Sequence, residues 1–262
     1  MLRPRIIPCL LIHNKGLVKA VQFKQPKYVG DPINAVRIFN EKQSDELMVL
    51  DIDATAKGME PDYQLIEKLA SECRMPLCYG GGIKTVEQAQ RIFSLGVEKV
   101  AISSGAIANS SLVSRIAERV GTQSTVVVLD VKKKLFGGYE VFIENGKKAT
   151  GKSPFFLASQ FEGRGAGEIV INSIDMDGVM KGYDLHLIEK IRKEITVPLT
   201  ALGGVGSLED IAVLIRKFGI IGASAGSLFV FKGIYKAVLI NYPSPEIKDA
   251  LIKSNFPKMV IL

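Results

Sequence analysis

Short apolar runs alternate with amphipathic segments along the whole chain. The runs Arg5–Ile12, Leu47–Ile52, Leu77–Tyr79, Val100–Ser103, Thr125–Val131, Ile169–Ser173, Leu199–Leu202 and Ile220–Ala223 are apolar without strict polar alternation. That pattern belongs to strands buried on both faces of a parallel sheet. Helical spacing of apolar residues fills the intervals Asp31–Gln43, Tyr63–Cys73, Thr85–Leu95, Ser110–Val120, Pro154–Glu162, Asp184–Ile195 and Ser207–Phe218. Capping residues mark several starts: Thr85 before "VEQAQRIF", Ser110 before "LVSRIAERV" and Ser207 before "LEDIAVLI". A last helix is expected over Gly233–Asn241, followed by a tail. Eight strand–helix units in 262 residues predict an α/β fold, a (β/α)₈ TIM barrel occupying residues 1–262 as one domain.

The chain also repeats itself. "PLCYGGGIKTVE" (76–87) matches "PLTALGGVGSLE" (198–209), an offset of 122 from 76 to 198. The same offset sets Ser104-Gly105 on Gly226-Ser227, and "VLDIDA" (49–54) resembles "SIDMDG" (173–178). Two similar half-barrels, approximately 1–122 and 123–262, explain the repeat better than a doubly wound sheet. The period is too long for a solenoid. One pairing is uneven: when "IIPCLLIHN" is laid on "TVVVLDVKK", Leu11 falls on Asp130.

Composition narrows the chemistry. With 34 basic and 27 acidic residues the net charge is +7, which suits an anionic ligand or an acidic partner surface. Lysines and arginines are scattered or in helix-sized clusters, without the basic block interleaved with aromatics expected of a nucleic-acid binder. No apolar run approaches the roughly 18 residues a membrane span needs, and no signal-peptide pattern opens the chain. Cys9, Cys73 and Cys78 lack metal-ligand spacing, and His13 and His186 alone cannot build a typical zinc site. The expectation is a cytoplasmic protein with no metal or cofactor, and with neither a nucleic-acid nor a membrane partner.

In a barrel of this kind chemistry sits on loops at the C-terminal strand ends. Both copies carry small residues there. Gly80-Gly81-Gly82 and Ser103-Ser104-Gly105 follow strands three and four; Gly203-Gly204 and Ala225-Gly226-Ser227 follow strands seven and eight. Glycine lets backbone N–H groups approach an oxyanion closely. Two such sockets in symmetric positions predict a bisphosphorylated or otherwise phosphate-bearing small molecule, with Gly82, Ser103, Ser104, Gly178, Gly204, Gly226 and Ser227 as ligand-site candidates.

The stretches "RIIPCL", "DELMVLDI", "GGGI", "EKVAIS", "VVVLDVK", "GKKATG", "RGAGEI", "SIDMDG" and "GYD" resemble the cyclase subunit of imidazole glycerol phosphate synthase, over essentially the full length. The resemblance implies a barrel that docks a glutaminase subunit on its N-terminal face. Ammonia released there crosses the interior to a bisphosphorylated ribulosyl substrate. It also implies two acid–base aspartates, at the ends of strands one and five. The second is Asp130; the first falls on Leu11. No Asp or Glu occurs between Leu2 and Val29, so a shifted register cannot restore it. His13 lies two positions on, beyond the expected strand end, and is a poor substitute.

Other positions that the resemblance points to are present. Arg5, Glu46, Lys99 and Glu168 match a charged ring read as an ammonia gate. Lys19 matches a lysine on the loop "HNKGLVKAVQFKQPKYVGDP", which reads either as a basic lid or as a solvated surface loop. Asp51 and Asp177 match acids at the ends of strands two and six. Lys132 could pair with Asp130, and Leu202 stands where the family commonly has serine. Leucine carries no proton, and losing one acid–base group costs about 10²–10⁴ in rate.

The expected role is therefore a divergent paralogue that pairs with a glutaminase and handles ammonia while its cyclase activity is weakened or lost. Paralogues of this kind look like ammonia suppliers to a separate sugar amidotransferase in surface-polysaccharide clusters. A working cyclase subunit of histidine biosynthesis and a non-catalytic phosphate-binding scaffold stay open as alternatives.

Overall fold

Strands that are apolar on both sides need cover on both sides, and a parallel barrel wrapped in helices supplies it. The computed structural model describes residues 3–233 and 235–256. Among them eight parallel strands close into a barrel: β1 (Arg5–His13), β2 (Leu47–Asp51), β3 (Leu77–Gly80), β4 (Lys99–Ile102), β5 (Thr125–Lys133), β6 (Glu168–Ser173), β7 (Leu199–Leu202) and β8 (Gly222–Ala225). Each strand pairs with the next, and β8 returns to β1 with Arg5 opposite Gly222. The outer helices are α1 (Pro32–Glu41), α2 (Tyr63–Glu72), α3 (Val86–Ser94), α4 (Ser111–Val120), α5 (Pro154–Gly163), α6 (Leu185–Glu194), α7 (Leu208–Phe218) and α8 (Pro245–Asn255). The (β/α)₈ expectation holds.

Local chemistry accounts for the helix starts. Thr85 and Ser207 each close a capping box, with Gln88 and Asp210 as the reciprocal partners. Ser110 makes no side-chain cap; Asn109 Oδ1 instead accepts from Ser111 N at 3.2 Å.

Three expectations need correction. β8 starts two residues later than the apolar run suggested. The last helix does not cover Gly233–Asn241, of which Ile234 lies outside the described residues. Gly233 and Lys236 take positive φ (73° and 49°), and Phe231–Lys232 pairs antiparallel with Ala237–Val238. The helix forms later, where Ser244 Oγ accepts from Ile247 N at 3.4 Å and Pro245 and Glu246 occupy the first turn. The long basic segment after β1 is a β-hairpin, Gly16–Val21 against Lys24–Gly30, which continues the sheet from β1.

Strand alternation sorts the core. On β1, Ile6, Leu10 and Ile12 face the helices, while Ile7 and Cys9 face the barrel interior. The interior fill is Met48, Cys78, Ala101, Val126, Val128, Val170 and Leu202, with Leu11 and Leu50 packed at its upper edge. Below it, at the N-terminal strand ends, Arg5, Glu46, Lys99 and Glu168 close a ring. Arg5 pairs with Glu46 and, at 2.8 Å, with Glu168; Lys99 Nζ donates to Glu46 at 2.9 Å and to Glu168 at 3.0 Å. Glu46 and Glu168 are each only 3% exposed. Burial pushes the Glu168 carboxyl up, but Arg5 and Lys99 outweigh it and hold the group below its ordinary range.

Removing one cation from this ring leaves two buried carboxylates sharing the other. Lys99→Met is expected to cost about 3–5 kcal/mol in urea unfolding. Adding Glu46→Gln to Lys99→Met should recover part of that loss, because the surplus negative charge goes with it.

Candidate active site at the barrel mouth

A cavity of about 460 Å³ opens at the C-terminal strand ends, opposite the charged ring. Leu11, Lys19, Asp51, Gly82, Ser103, Ser104, Asp130, Asp177, Gly178, Leu202, Gly204, Gly226 and Ser227 all line it. Leu11 and Asp130 therefore border the same space, and Leu11 pairs across β1–β2 with Leu50. Leu11, Leu50 and Leu202 form its apolar floor.

The loops narrow the mouth by close backbone approach. Gly204 has φ +105°, and a Cβ there would fall 2.1 Å from the Gly182 carbonyl oxygen. Gly82 has φ +75°, and its Cβ would meet Ala54 at 2.9 Å. Neither position accepts a side chain, so backbone lines the cavity there. The short helices Ser104–Ala108 and Ser227–Val230 start at Ser103 and Gly226 without a side-chain cap. Their first N–H groups are donors of the type that holds oxyanions.

Asp130 sits opposite Asn172 in the β5–β6 register, and its Oδ1 accepts from Asn172 Nδ2 at 2.9 Å. Asp130 is half-buried and borders the cavity. Burial pushes it up to about 7, with the Asn172 hydrogen bond opposing and the Asp177 charge adding to the rise. Asp177 is pushed up to about 6 by burial, against the pull of Lys19. One Asp177 carboxylate oxygen and the Asn172 carboxamide oxygen have no hydrogen-bond partner among the described residues.

Lys19 is 6% exposed and donates from Nζ to the Cys9 carbonyl at 2.6 Å. Burial favours its neutral amine and lowers its pKa, although Asp177 opposes this. The hairpin that carries it is tied to the strand-six loop by Gln22 N donating to Asp177 O at 2.9 Å. The segment thus buries Lys19 on its first strand and exposes most of its second. Asp51 first serves as a cap, accepting from Asp53 N (2.8 Å) and Ala54 N (3.1 Å), and burial raises its pKa. Lys132 does not pair with Asp130: it is exposed, and its ammonium lies 5.7 Å from the Phe142 ring.

Sequence reasoning missed part of the lining. Asn172, Asp53 and Lys57 border the cavity, and so does His13, because β1 runs one residue past its expected end.

The raised Asp130 pKa has a stability consequence. Its ordinary unfolded value is near 4 and its folded value about 7, so the folded chain binds the extra proton in that window. Stability from this group is present at low pH and is lost as pH rises towards 7. Asp130→Asn should therefore raise the melting temperature at pH 8 by about 2–4 °C or more and by much less at pH 4, measured by thermal unfolding at both.

The profile of the histidine biosynthesis protein family matches residues 5–236. A provisionally named imidazole glycerol phosphate synthase subunit, hisF3 of Vibrio vulnificus, is 61% identical over 253 residues, 96% of this chain and 97% of that protein. The provisionally named hisF2 subunit of Pseudomonas aeruginosa is 54% identical over 243 residues, covering 93% and 97%. The imidazole glycerol phosphate synthase subunit HisF of Exiguobacterium sibiricum is 39% identical over 251 residues, covering 96% and 97%. With the barrel, the mouth and these likenesses together, the chain belongs to the histidine biosynthesis protein family, among its HisF-like barrels.

Proposed function

We propose that this chain is the barrel subunit of a glutaminase-coupled pair. In this reading the partner docks on the N-terminal face and ammonia enters through the ring of Arg5, Glu46, Lys99 and Glu168. It then travels along the apolar interior to a phosphate-bearing ligand at the mouth. Glycine-lined loops after β3 and β7, and small loops after β4 and β8, hold the two ends of that ligand through backbone N–H groups. The repeat in sequence supports one domain built from two half-barrels, each supplying one socket.

The single observation that carries the reading is Leu11. It stands in the cavity at the position equivalent to Asp130, and it has no proton to give or take. Formation of imidazole glycerol phosphate is therefore weakened, with Asp130 left without its carboxylate counterpart. Ammonia arriving at an impaired cyclase is available to another acceptor. The resemblance to paralogues of surface-sugar clusters makes a separate sugar amidotransferase the consumer we favour.

The test is ammonium-dependent turnover of the bisphosphorylated ribulosyl substrate by the isolated chain. The parent should convert it poorly, and Leu11→Asp should raise the rate about 10²-fold or more by returning one acid–base group. A fast parent whose rate Leu11→Asp leaves unchanged contradicts the proposal.

A further inference from the structure

On the β1 side of the mouth His13, Asn14, Asp53 and Lys57 form a connected cluster. His13 ends β1 two residues above Leu11, so alternation puts both on the inward side of one strand. Its Nδ1 lies 2.7 Å from Asp53 Oδ1, and Asn14 Nδ2 lies 3.1 Å from its Nε2. Asp53 Oδ2 also accepts from Asn14 N at 2.7 Å and from Lys57 Nζ at 2.9 Å, while Lys57 Nζ donates to Asn14 Oδ1 at 2.8 Å.

These contacts settle the direction of each hydrogen bond. Burial works against the charge on Asp53, yet hydrogen bonds from Asn14, Lys57 and His13 prevail and hold its pKa below the ordinary value. An ionised carboxylate only accepts, so Nδ1 carries the hydrogen. Lys57 fixes the carboxamide oxygen of Asn14, which turns the NH₂ group towards His13 and leaves Nε2 as the acceptor. The result is an imidazole oriented by a buried carboxylate through Nδ1, with Nε2 beside a cavity and accepting from Asn14 Nδ2, a bond that a ligand must displace. That is how general bases are held. A purely structural role is already met without the ring, since Asp53 itself anchors Asn14 N at a turn whose residues Asn14 and Lys15 have φ of 47° and 63°.

We propose that His13, positioned by Asp53, is the proton-transfer group on the β1 side of the mouth. It acts on the carbonyl of a phosphate-bearing keto ligand as ammonia adds to it. The inference rests on the ammonia-receiving function above and supplies that function's missing chemistry. When the nitrogen bonds to the carbonyl carbon, the C=O electron pair passes to oxygen, which takes the proton of Asp130. The nitrogen's surplus proton moves to His13 Nε2 as the Asn14 amide hydrogen bond to that atom gives way. His13 then returns it to the hydroxyl, the C–O bond breaks and water leaves. Asp130 recovers its proton from the nitrogen. Ammonia and carbonyl have become imine and water, with both groups reset. His13 reaches the cavity one layer above Leu11, so it substitutes for a carboxylate there incompletely, in keeping with a weakened rate.

The experiment follows ammonium-dependent turnover of the bisphosphorylated ribulosyl substrate from pH 6 to 9 in the parent and in variants. His13→Asn should lower kcat about 10²-fold, with little change in KM. His13→Gln gives the same reading if His13→Asn does not fold. Asp53→Asn should lower kcat less than His13→Asn does, with KM little changed, because the imidazole loses the carboxylate that orients it; a merely structural role would lower the folded fraction and leave kcat per folded molecule unchanged. In a Leu11→Asp background the His13→Asn loss should shrink about tenfold, since two groups then share one task. A His13→Asn kcat equal to the parent's, or a parent with no turnover at all, overturns the proposal. A fast parent indifferent to Leu11→Asp but disabled by His13→Asn would sink the weakened-cyclase reading and leave the dyad standing.

Discussion

A closed parallel barrel allows each strand residue two directions, inward or outward, and the molecule is organised by that constraint. On β1 it writes the whole axis in one column: Arg5 in the charged ring, Ile7 and Cys9 in the apolar fill, Leu11 at the cavity floor, His13 at the rim. β5 supplies Val126, Val128 and Asp130 at matching depths, and β6 supplies Glu168, Val170 and Asn172. A substitution at one depth therefore changes one layer. Leu11 makes the β1 side of the Asp130 layer apolar and leaves the layer of charge pairing and the loops of the rim as they are.

The mouth is electrostatically unusual for a site read as holding phosphate. Burial draws Asp130, Asp177 and Lys19 all towards their neutral forms. At the opposite end Arg5 and Lys99 are matched by Glu46 and Glu168, while at the mouth Asp53 stays ionised beside Lys57. In the proposed reading, anion binding at the rim relies on backbone N–H groups at Gly204 and at the starts of two short helices, which need no counter-ion to stay buried.

Much of this was legible in the sequence because it rests on local periodicity. Non-alternating apolar runs located the strands, the 122-residue offset located the paired loops, and the equivalence of Leu11 and Asp130 needed only an ungapped match. What escaped depends on distance or on conformation. The hairpin strand Lys24–Gly30 is mostly exposed and polar, so it carries no apolar signal. The residues after β8 turn through positive φ at Lys236, which its side chain does not announce. His13 and Asp53 are forty residues apart; they meet because β1 runs one residue longer than its apolar run and because Ile12 lies beside Asp51 in the β1–β2 register.

The barrel that emerges has an apolar interior, a charged ring at its base and a mouth with a carboxyl on the β5 side and a leucine opposite it on the β1 side. Its central claim is that ammonia reaches the mouth but is seldom built into an imidazole. The most direct measurement follows ¹⁵N from amide-labelled glutamine through the chain paired with its glutaminase subunit, in the presence of the bisphosphorylated ribulosyl substrate. The account predicts that label leaves as free ammonia, with no more than about one nitrogen in a hundred entering imidazole product. One labelled imidazole for each glutamine consumed would contradict it.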